Sequence, residues 1–376
     1  MARGPGSAQG FVLAAPRRLE LRRFDLPPVG ADDGLLVVEA CGLCGTDHEQ
    51  YTGDIPAGGP FIPGHEVVGT IERVGAHAAE RWGVEPGQRV AVEVFQSCRA
   101  CDACRAGTYR RCRRNGLATM VGFVPTDRPP GLWGGYATHL YLGPDSMLLP
   151  VPDGLDPVLA TLFNPLGAGI RWAVDLPGLQ AGEVVAVLGS GIRGLCAAAA
   201  AKAAGAGFVM VTGRGPADTD RLTCAAGFGA DLTLDVASAD PARALRGATG
   251  GLADVVVDVT AKAPEAFAQA VALARPGGTV VVAGTRGAAS AAPAPGFHPD
   301  HLVYKELRLL GALGVDVTSY RPALELLASG RLPFADLPRE VVGFAGLEPL
   351  LRRLAGEDDG PRPVHAVFTP GGGPPS

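Results

Sequence analysis

Residues 184–204 read VVAVLGSGIRGLCAAAAAKAA, and Gly205 follows. The five apolar residues at 184–188 fit a buried strand. Gly189-Ser190-Gly191-Ile192-Arg193-Gly194 comes next, and the alanine-rich stretch at 195–204 is a strong helix former that stops at Gly205. Strand, glycine turn and helix in this order frame a dinucleotide site. The glycines permit a tight turn and the close approach of a pyrophosphate, whose charge meets the free amides and positive dipole end of the helix. In a chain with 54 glycines the Gly-x-Gly-x-x-Gly spacing is weak by itself, and its frame carries the reading.

Outward from this turn the texture repeats. From about residue 160, buried runs at 209–212, 255–259 and 279–283 alternate with helical stretches, which implies a parallel, doubly wound sheet. Upstream, short apolar runs at 35–38, 67–74 and 90–94 are broken repeatedly by Gly and Pro, the pattern of an all-β region with long loops. A chain of 376 residues exceeds one hydrophobic core. The expected division is 1–160 all-β, 161–305 doubly wound and 306–376 returning to the first domain. That last piece holds a strand-like run at 307–313, a helix at 320–329 and a strand at 364–368. The Gly- and Pro-rich ends, 1–10 and 370–376, are predicted to be disordered.

The end of the second strand selects the cofactor, because an acidic residue there holds the ribose hydroxyls of NAD. This chain has Gly213 followed by Arg214. Without a carboxylate a 2'-phosphate meets no repulsion, and the guanidinium offers it a fork of donors, so NADP(H) is expected, with NAD(H) as the alternative. Thr260, Gly284 and Thr285, just beyond later buried runs, are the remaining cofactor candidates.

A net charge of −5 and a pI near 5.8, with Lys and Arg clustered only at Arg110, Arg111, Arg113 and Arg114, exclude a nucleic-acid partner. No window approaches the roughly 18 apolar residues of a membrane span and no signal peptide is evident, so a cytoplasmic protein without a membrane partner is expected.

Cysteine spacing supplies two candidate metal sites. Cys98, Cys101, Cys104 and Cys112 lie within fifteen residues, the ligand set of a closed tetrahedral zinc site that would fold its own loop. Cys41-Gly42-Leu43-Cys44-Gly45-Thr46-Asp47 is followed by Gly64-His65-Glu66. Cys44 and His65 suit a catalytic zinc, which takes about three protein ligands and leaves one position open. Cys196 and Cys224 sit among apolar residues and read as buried and inert.

With these motifs in order along residues 35–367, the chain resembles the zinc-containing medium-chain dehydrogenases, including their alcohol, sorbitol and threonine branches. The resemblance implies a GroES-like β-barrel catalytic domain, a Rossmann domain, and a dimer or tetramer. It also implies hydride transfer between a small alcohol or polyol, or the matching aldehyde or ketone, and a nicotinamide cofactor. Carried across by position, Cys44 and His65 bind catalytic zinc, Asp47 holds the far nitrogen of His65, and Thr46 touches the substrate oxygen.

Three positions depart from the family. Asn164, in Phe163-Asn164-Pro165-Leu166, stands where polyol-type relatives carry a zinc-side glutamate. The relay histidine is replaced by Glu49, with His48 beside it. Arg193 fills a turn position usually apolar, where it could grip the pyrophosphate or a substrate carboxylate or point outward. Glu66 is the natural substitute ligand, because thiolate and carboxylate together offset the two charges of zinc, whereas a neutral Asn164 would leave one uncompensated. Asn164 is therefore expected near the metal but unbound, or bound through water. Competing readings are a zinc-free reductase like the quinone oxidoreductases and a non-catalytic protein with structural zinc only. Loops at 51–61 and 116–134 offer Tyr51, Phe61, Met120, Phe123 and Trp133 as an apolar pocket wall or as core.

Overall fold

Alternating burial along β1 (Ser7–Ala15) marks a strand with one covered face, and it pairs antiparallel with β2 (Arg18–Asp25). The computed structural model describes residues 6–55, 58–285 and 294–372. Residues 7–10, expected to be disordered, are held in β1: Phe11 N–H donates to Tyr136 O, and Gln9 O accepts from Thr138 N–H. Polar backbone satisfied in this way overrides the loop-like composition.

The first unit continues through β3 (Gly34–Leu43), α1 (Gly45–Thr52), β4 (Glu66–Val74), α2 (Ala76–Trp82), β5 (Arg89–Val92), α3 (Asp102–Arg105), β6 (His139–Leu142), β7 (Leu148–Pro150) and α4 (Pro157–Ala160). The second unit opens with α5 (Phe163–Ile170). It then alternates β8 (Val184–Leu188), α6 (Ile192–Ala203), β9 (Phe208–Gly213), α7 (Thr219–Gly227), β10 (Leu232–Asp235), α8 (Pro241–Thr249), β11 (Ala253–Asp258), α9 (Glu265–Leu273), β12 (Ala274–Val282), α10 (Asp300–Tyr304), β13 (Arg308–Gly311) and α11 (Val317–Ala328). The chain then returns to the first unit with β14 (Arg339–Val342), α12 (Phe344–Ala355) and β15 (His365–Phe368).

In the first unit the sheet runs β14-β15-β3-β4-β5-β7, with β6 also on β3. β15 pairs antiparallel with β3, so Ala366 lies opposite Leu43, next to Cys44. Leu36, Val67, Ile71, Val90, Leu350 and Phe368 form its core, and Tyr51 and Phe61 belong to that core rather than to a pocket wall.

In the second unit six parallel strands run β10-β9-β8-β11-β12-β13, the 3-2-1-4-5-6 order of a Rossmann sheet when β8 is counted first. Its central strands β8, β9, β11 and β12 carry valine-rich apolar runs, the composition of strands covered on both faces. The expected break at 305 differs from the structure. β13 pairs with β12 from Thr279↔Arg308 to Val282↔Gly311, so the unit extends over Asn164–Leu337 and the return begins at Pro338. β13 is the rim strand among the described residues, and Leu309 and Leu313 are exposed on or beside it. No helix of the described residues is long and apolar enough to cross a membrane.

Candidate metal centres and cofactor turn

Cys44 follows β3 and caps α1, and Asp47, three residues into the helix, accepts the Cys44 backbone N–H through Oδ2 at 2.8 Å. That local bond fixes the orientation of the helix start. His65 precedes β4, and its Nε2 lies 3.4 Å from Cys44 Sγ. Glu66 opens β4 opposite Gly42, where any Cβ would collide with its carboxylate. One ligand atom from each of Cys44, His65 and Glu66 falls within 4.8 Å of the others, and all three residues are buried. Tetrahedral ligands about 2.0–2.3 Å from a common zinc stand about 3.3–3.8 Å apart, so small side-chain shifts close this set on one ion.

The neighbouring candidates are near but differ in detail. Asp47 Oδ1 is 4.0 Å from His65 Nδ1, ion-pair range rather than a hydrogen bond, and Oδ1 has no hydrogen-bond partner among the described residues. Thr46 and His48 are partly buried on α1, and Glu49 is buried. Phe123 places its ring 6.1 Å from His65. Sequence reasoning missed Tyr136, which is fully buried and whose hydroxyl is pushed well above the usual tyrosine range by burial and then by the Asp47 charge.

Cys98, Cys101, Cys104 and Cys112 form the second cluster, again with ligand atoms within 4.8 Å. The Cys101 thiol is lowered to about 6 by backbone N–H groups of Arg113 and Cys104, whereas burial raises Cys104 to about 11. The lobe is anchored by Arg99, whose guanidinium donates to Ser97 O, Pro144 O and Ser146 O. None of the eight cysteines, all of which lie within the described residues, is joined in a disulfide. Cys196 is buried as expected, but Cys224 is only partly so, because α7 turns part of its surface outward.

In the second unit the glycine turn joins β8 to α6. Gly189 takes φ +110°, a region that side chains avoid, and a Cβ on Gly194 would strike the Gly189 carbonyl. Ser190 is 2% exposed, and its Oγ has no hydrogen-bond partner among the described residues. Gly191 opens on empty space, and Ile192 starts the helix. Thr260 lies beside this turn, where a Cβ on Gly189 would meet its side chain, and Gly284 lies beside Thr260, where a Cβ would strike the Thr260 carbonyl. Thr285 O accepts from Lys262 N at 3.2 Å. A buried, unused hydroxyl inside a cradle of glycines fits a dinucleotide phosphate.

Two findings revise the sequence reading. Asp218, which sequence reasoning missed, brings a carboxylate against Gly213, so residue 213 lacks an acid but its surroundings do not. That carboxylate accepts the Arg214 N–H at 2.8 Å and pairs with Arg221 at 3.3 Å, while the exposed Arg214 side chain lies 3.9 Å from Glu265. The available signal was an Asp heading a helical run. Secondly, Asn164 accepts from Arg193 at 3.2 Å and donates to Tyr320 Oη at 2.8 Å, and Arg193 stacks 5.3 Å from the Trp172 ring. Arg193 therefore points onto Asn164 and Trp172 rather than outward.

Comparison with known proteins places these sites in context. Residues 30–153 match the family described as alcohol dehydrogenase GroES-like domain, and residues 194–329 match the zinc-binding dehydrogenase family. The chain is 67% identical over 362 residues to a Mycobacterium tuberculosis protein named "Probable alcohol dehydrogenase adh", covering 96% of this chain and 98% of that one. It is 32% identical to Bacillus subtilis sorbitol dehydrogenase over 74% of this chain and 76% of the relative. A Sinorhizobium meliloti structure described as a zinc-binding dehydrogenase bound to NADP superposes with a TM-score of 0.82 at 28% identity, covering 97% of this chain and all of that one. The two domain matches in order, and a relative identical at two positions in three across nearly its whole length, show that the chain is an oxidoreductase of the zinc-dependent medium-chain alcohol dehydrogenase family.

Proposed function

We propose that this alcohol dehydrogenase depends on a catalytic zinc and prefers NADP(H), oxidising a small alcohol or polyol or reducing the matching aldehyde or ketone. The observation that carries this reading is the buried convergence of Cys44, His65 and Glu66. A zinc bound by them supplies Lewis-acid polarisation of the substrate oxygen, with the nicotinamide as the hydride partner. Cys44 as thiolate and Glu66 as carboxylate balance a divalent charge in a buried place, where an uncompensated charge is costly. Thr46 offers the hydroxyl that touches the substrate oxygen, and Glu49 and His48 are the groups suited to pass a proton onward. Asp47 orients His65. Asn164, already bonded to Arg193 and Tyr320, is better suited to positioning than to ligation.

The four-cysteine lobe takes a second, structural zinc in this reading. The preference for NADP(H) rests on Arg214, whose exposed guanidinium follows Gly213, and on the pairing of Asp218 with Arg221, which offsets the carboxylate beside Gly213; the NADP-bound Sinorhizobium relative supports it. Thr260, Gly284 and Thr285 complete the dinucleotide edge, and a homodimer or homotetramer is the proposed assembly. The test is a cofactor-reduction screen over primary, secondary and polyol alcohols with NAD and NADP in parallel, before and after chelation. Turnover that survives complete removal of zinc would overturn the metal dependence. Zinc content discriminates among the alternatives: two per chain for this reading, one for a lobe-only protein and none for a zinc-free reductase.

A further inference from the structure

Two buried oxygens beside the Cys44, His65 and Glu66 cluster have no hydrogen-bond partner among the described residues: Asp47 Oδ1 and Tyr136 Oη. Asp47 is 2% exposed and Tyr136 0%, so neither atom turns to solvent. A buried polar group left unpaired is costly, and two such groups side by side can relieve each other. They are side by side, because burial and then the Asp47 charge raise the Tyr136 hydroxyl, which makes the carboxylate its neighbour.

The Tyr136 ring is held in place from several directions. In the loop before β6, Gly135 N–H donates to Gly64 O at 2.8 Å and Tyr136 N–H to Pro63 O at 3.0 Å, which ties this loop to the segment that carries His65. Gly64 takes φ +89°, and a Cβ there would stand 2.8 Å from Tyr136 Cδ1, so the missing side chain is what admits the ring. Phe368 of β15 meets the ring edge-on, with centroids 5.6 Å apart.

Asp47 has a use for such a neighbour. Its Oδ2 is committed to the Cys44 N–H at 2.8 Å, so the carboxylate pivots about that bond, and Oδ1 is left for His65 Nδ1, 4.0 Å away. One carboxylate oxygen accepts two hydrogen bonds, here one from an imidazole N–H and one from a phenol, which is protonated at neutral pH. With Nδ1 as the donor, the imidazole lone pair lies on Nε2, the nitrogen 3.4 Å from Cys44 Sγ. Held by Cys44 alone the carboxylate swings; held by Cys44 and Tyr136 it keeps one orientation.

We propose that Tyr136 is a positioning residue for the catalytic metal: its hydroxyl donates to Asp47 Oδ1 and holds the carboxylate against His65, which then presents Nε2 to the zinc. The inference rests on the zinc-dependent reading and deepens it.

The test uses the full-length protein and the variants Tyr136→Phe, Asp47→Asn and the two combined. Catalytic zinc is withdrawn by dialysis against a chelator, the retained lobe zinc is verified by atomic emission, and Zn2+ is titrated back against a chromophoric chelator. Loss of an outer hydrogen bond that orients a metal ligand costs about tenfold or more in metal affinity, and Tyr136→Phe is expected to weaken catalytic Zn2+ by that factor. Asp47→Asn should lose at least as much, because it takes the anionic acceptor from His65. In the Asp47→Asn background, adding Tyr136→Phe should change the affinity less than about twofold, since the phenol acts through the carboxylate. Cobalt(II) placed in the same site should show altered visible bands in Tyr136→Phe, a signature of ligand geometry that a change in stability alone does not produce. If Tyr136→Phe does not fold, Tyr136→Met takes its place, and melting temperatures identify that case. A folded Tyr136 variant whose Zn2+ affinity and cobalt bands match the parent would overturn the proposal and leave the zinc-dependent reading standing. Additive losses in the combined variant would overturn the route through Asp47. A parent protein that takes up no Zn2+ beyond the lobe ion would defeat the zinc-dependent reading itself, and the positioning role with it.

Discussion

Cys44 Sγ and His65 Nε2 stand 3.4 Å apart although one residue caps a helix and the other precedes a strand, and Glu66 completes the cluster. Because Glu66 supplies one of the two negative charges there, Glu66→Gln is expected to release the catalytic zinc. Metal per chain should fall from two to one by atomic emission after dialysis. Asn164→Ala should keep both ions and change kinetics instead. A Glu66→Gln protein that still carries two zinc ions would defeat the ligand assignment.

Cys104→Ser is expected to act on folding rather than chemistry. The lobe has little core of its own, so the zinc proposed for it would contribute folding energy, and the variant should lose one zinc and melt at a clearly lower temperature. An unchanged melting temperature together with an unchanged zinc count would mean that the four-cysteine site is misread.

Arg214→Ala should weaken NADPH binding by at least tenfold and leave NADH nearly unaffected, the loss of a charge-assisted hydrogen bond worth roughly 1.5–3 kcal/mol. Titration of both cofactors against the variant checks this. Equal losses would place the Arg214 side chain outside the ribose-phosphate site.

His365 introduces a dependence on acid. Burial, reinforced by the charge of Arg339, lowers its imidazole to about 3, and it shares a 3.1 Å contact with Thr161. The unfolded chain takes up a proton near 6.5 while the folded one does not, so this contribution to stability is complete above about 6.5 and falls as the pH drops toward 3. The slope from this one group is at most about 1.4 kcal/mol per pH unit. Urea midpoints between pH 8 and 4.5 should show it, and His365→Gln should flatten it. Identical pH profiles for the two proteins would remove His365 from the account.

Local signals made the glycine turn, the strands and the four-cysteine cluster readable from sequence, since each is written in residues close along the chain, and Cys44 and His65, 21 residues apart, were also readable. What stayed hidden depended on distant partners. Asn164 meets Tyr320 156 residues along the chain, and no spacing rule announces that bond. Asp218 reaches Gly213 only because the chain folds back before α7. The run containing β13 was recognisable as a strand, but periodicity does not say which sheet receives it, and the boundary at 305 failed for that reason. Tyr51 and Phe61 lie on a loop-like stretch yet pack in the core, a distinction set by tertiary burial.

The rim position of β13 has a thermodynamic consequence. Its outer row of backbone donors and acceptors is a template for another strand, and Leu309 is 43% exposed and Leu313 50% exposed beside it. A second copy turned about a two-fold axis at this rim would continue the ladder and cover the leucines. Unfolding would then be coupled to dissociation, and the melting temperature would rise with protein concentration by mass action. Leu309→Lys is expected to abolish that rise and to reduce the mass measured by light scattering. A melting temperature independent of dilution in the parent protein would mean that the rim stays bare.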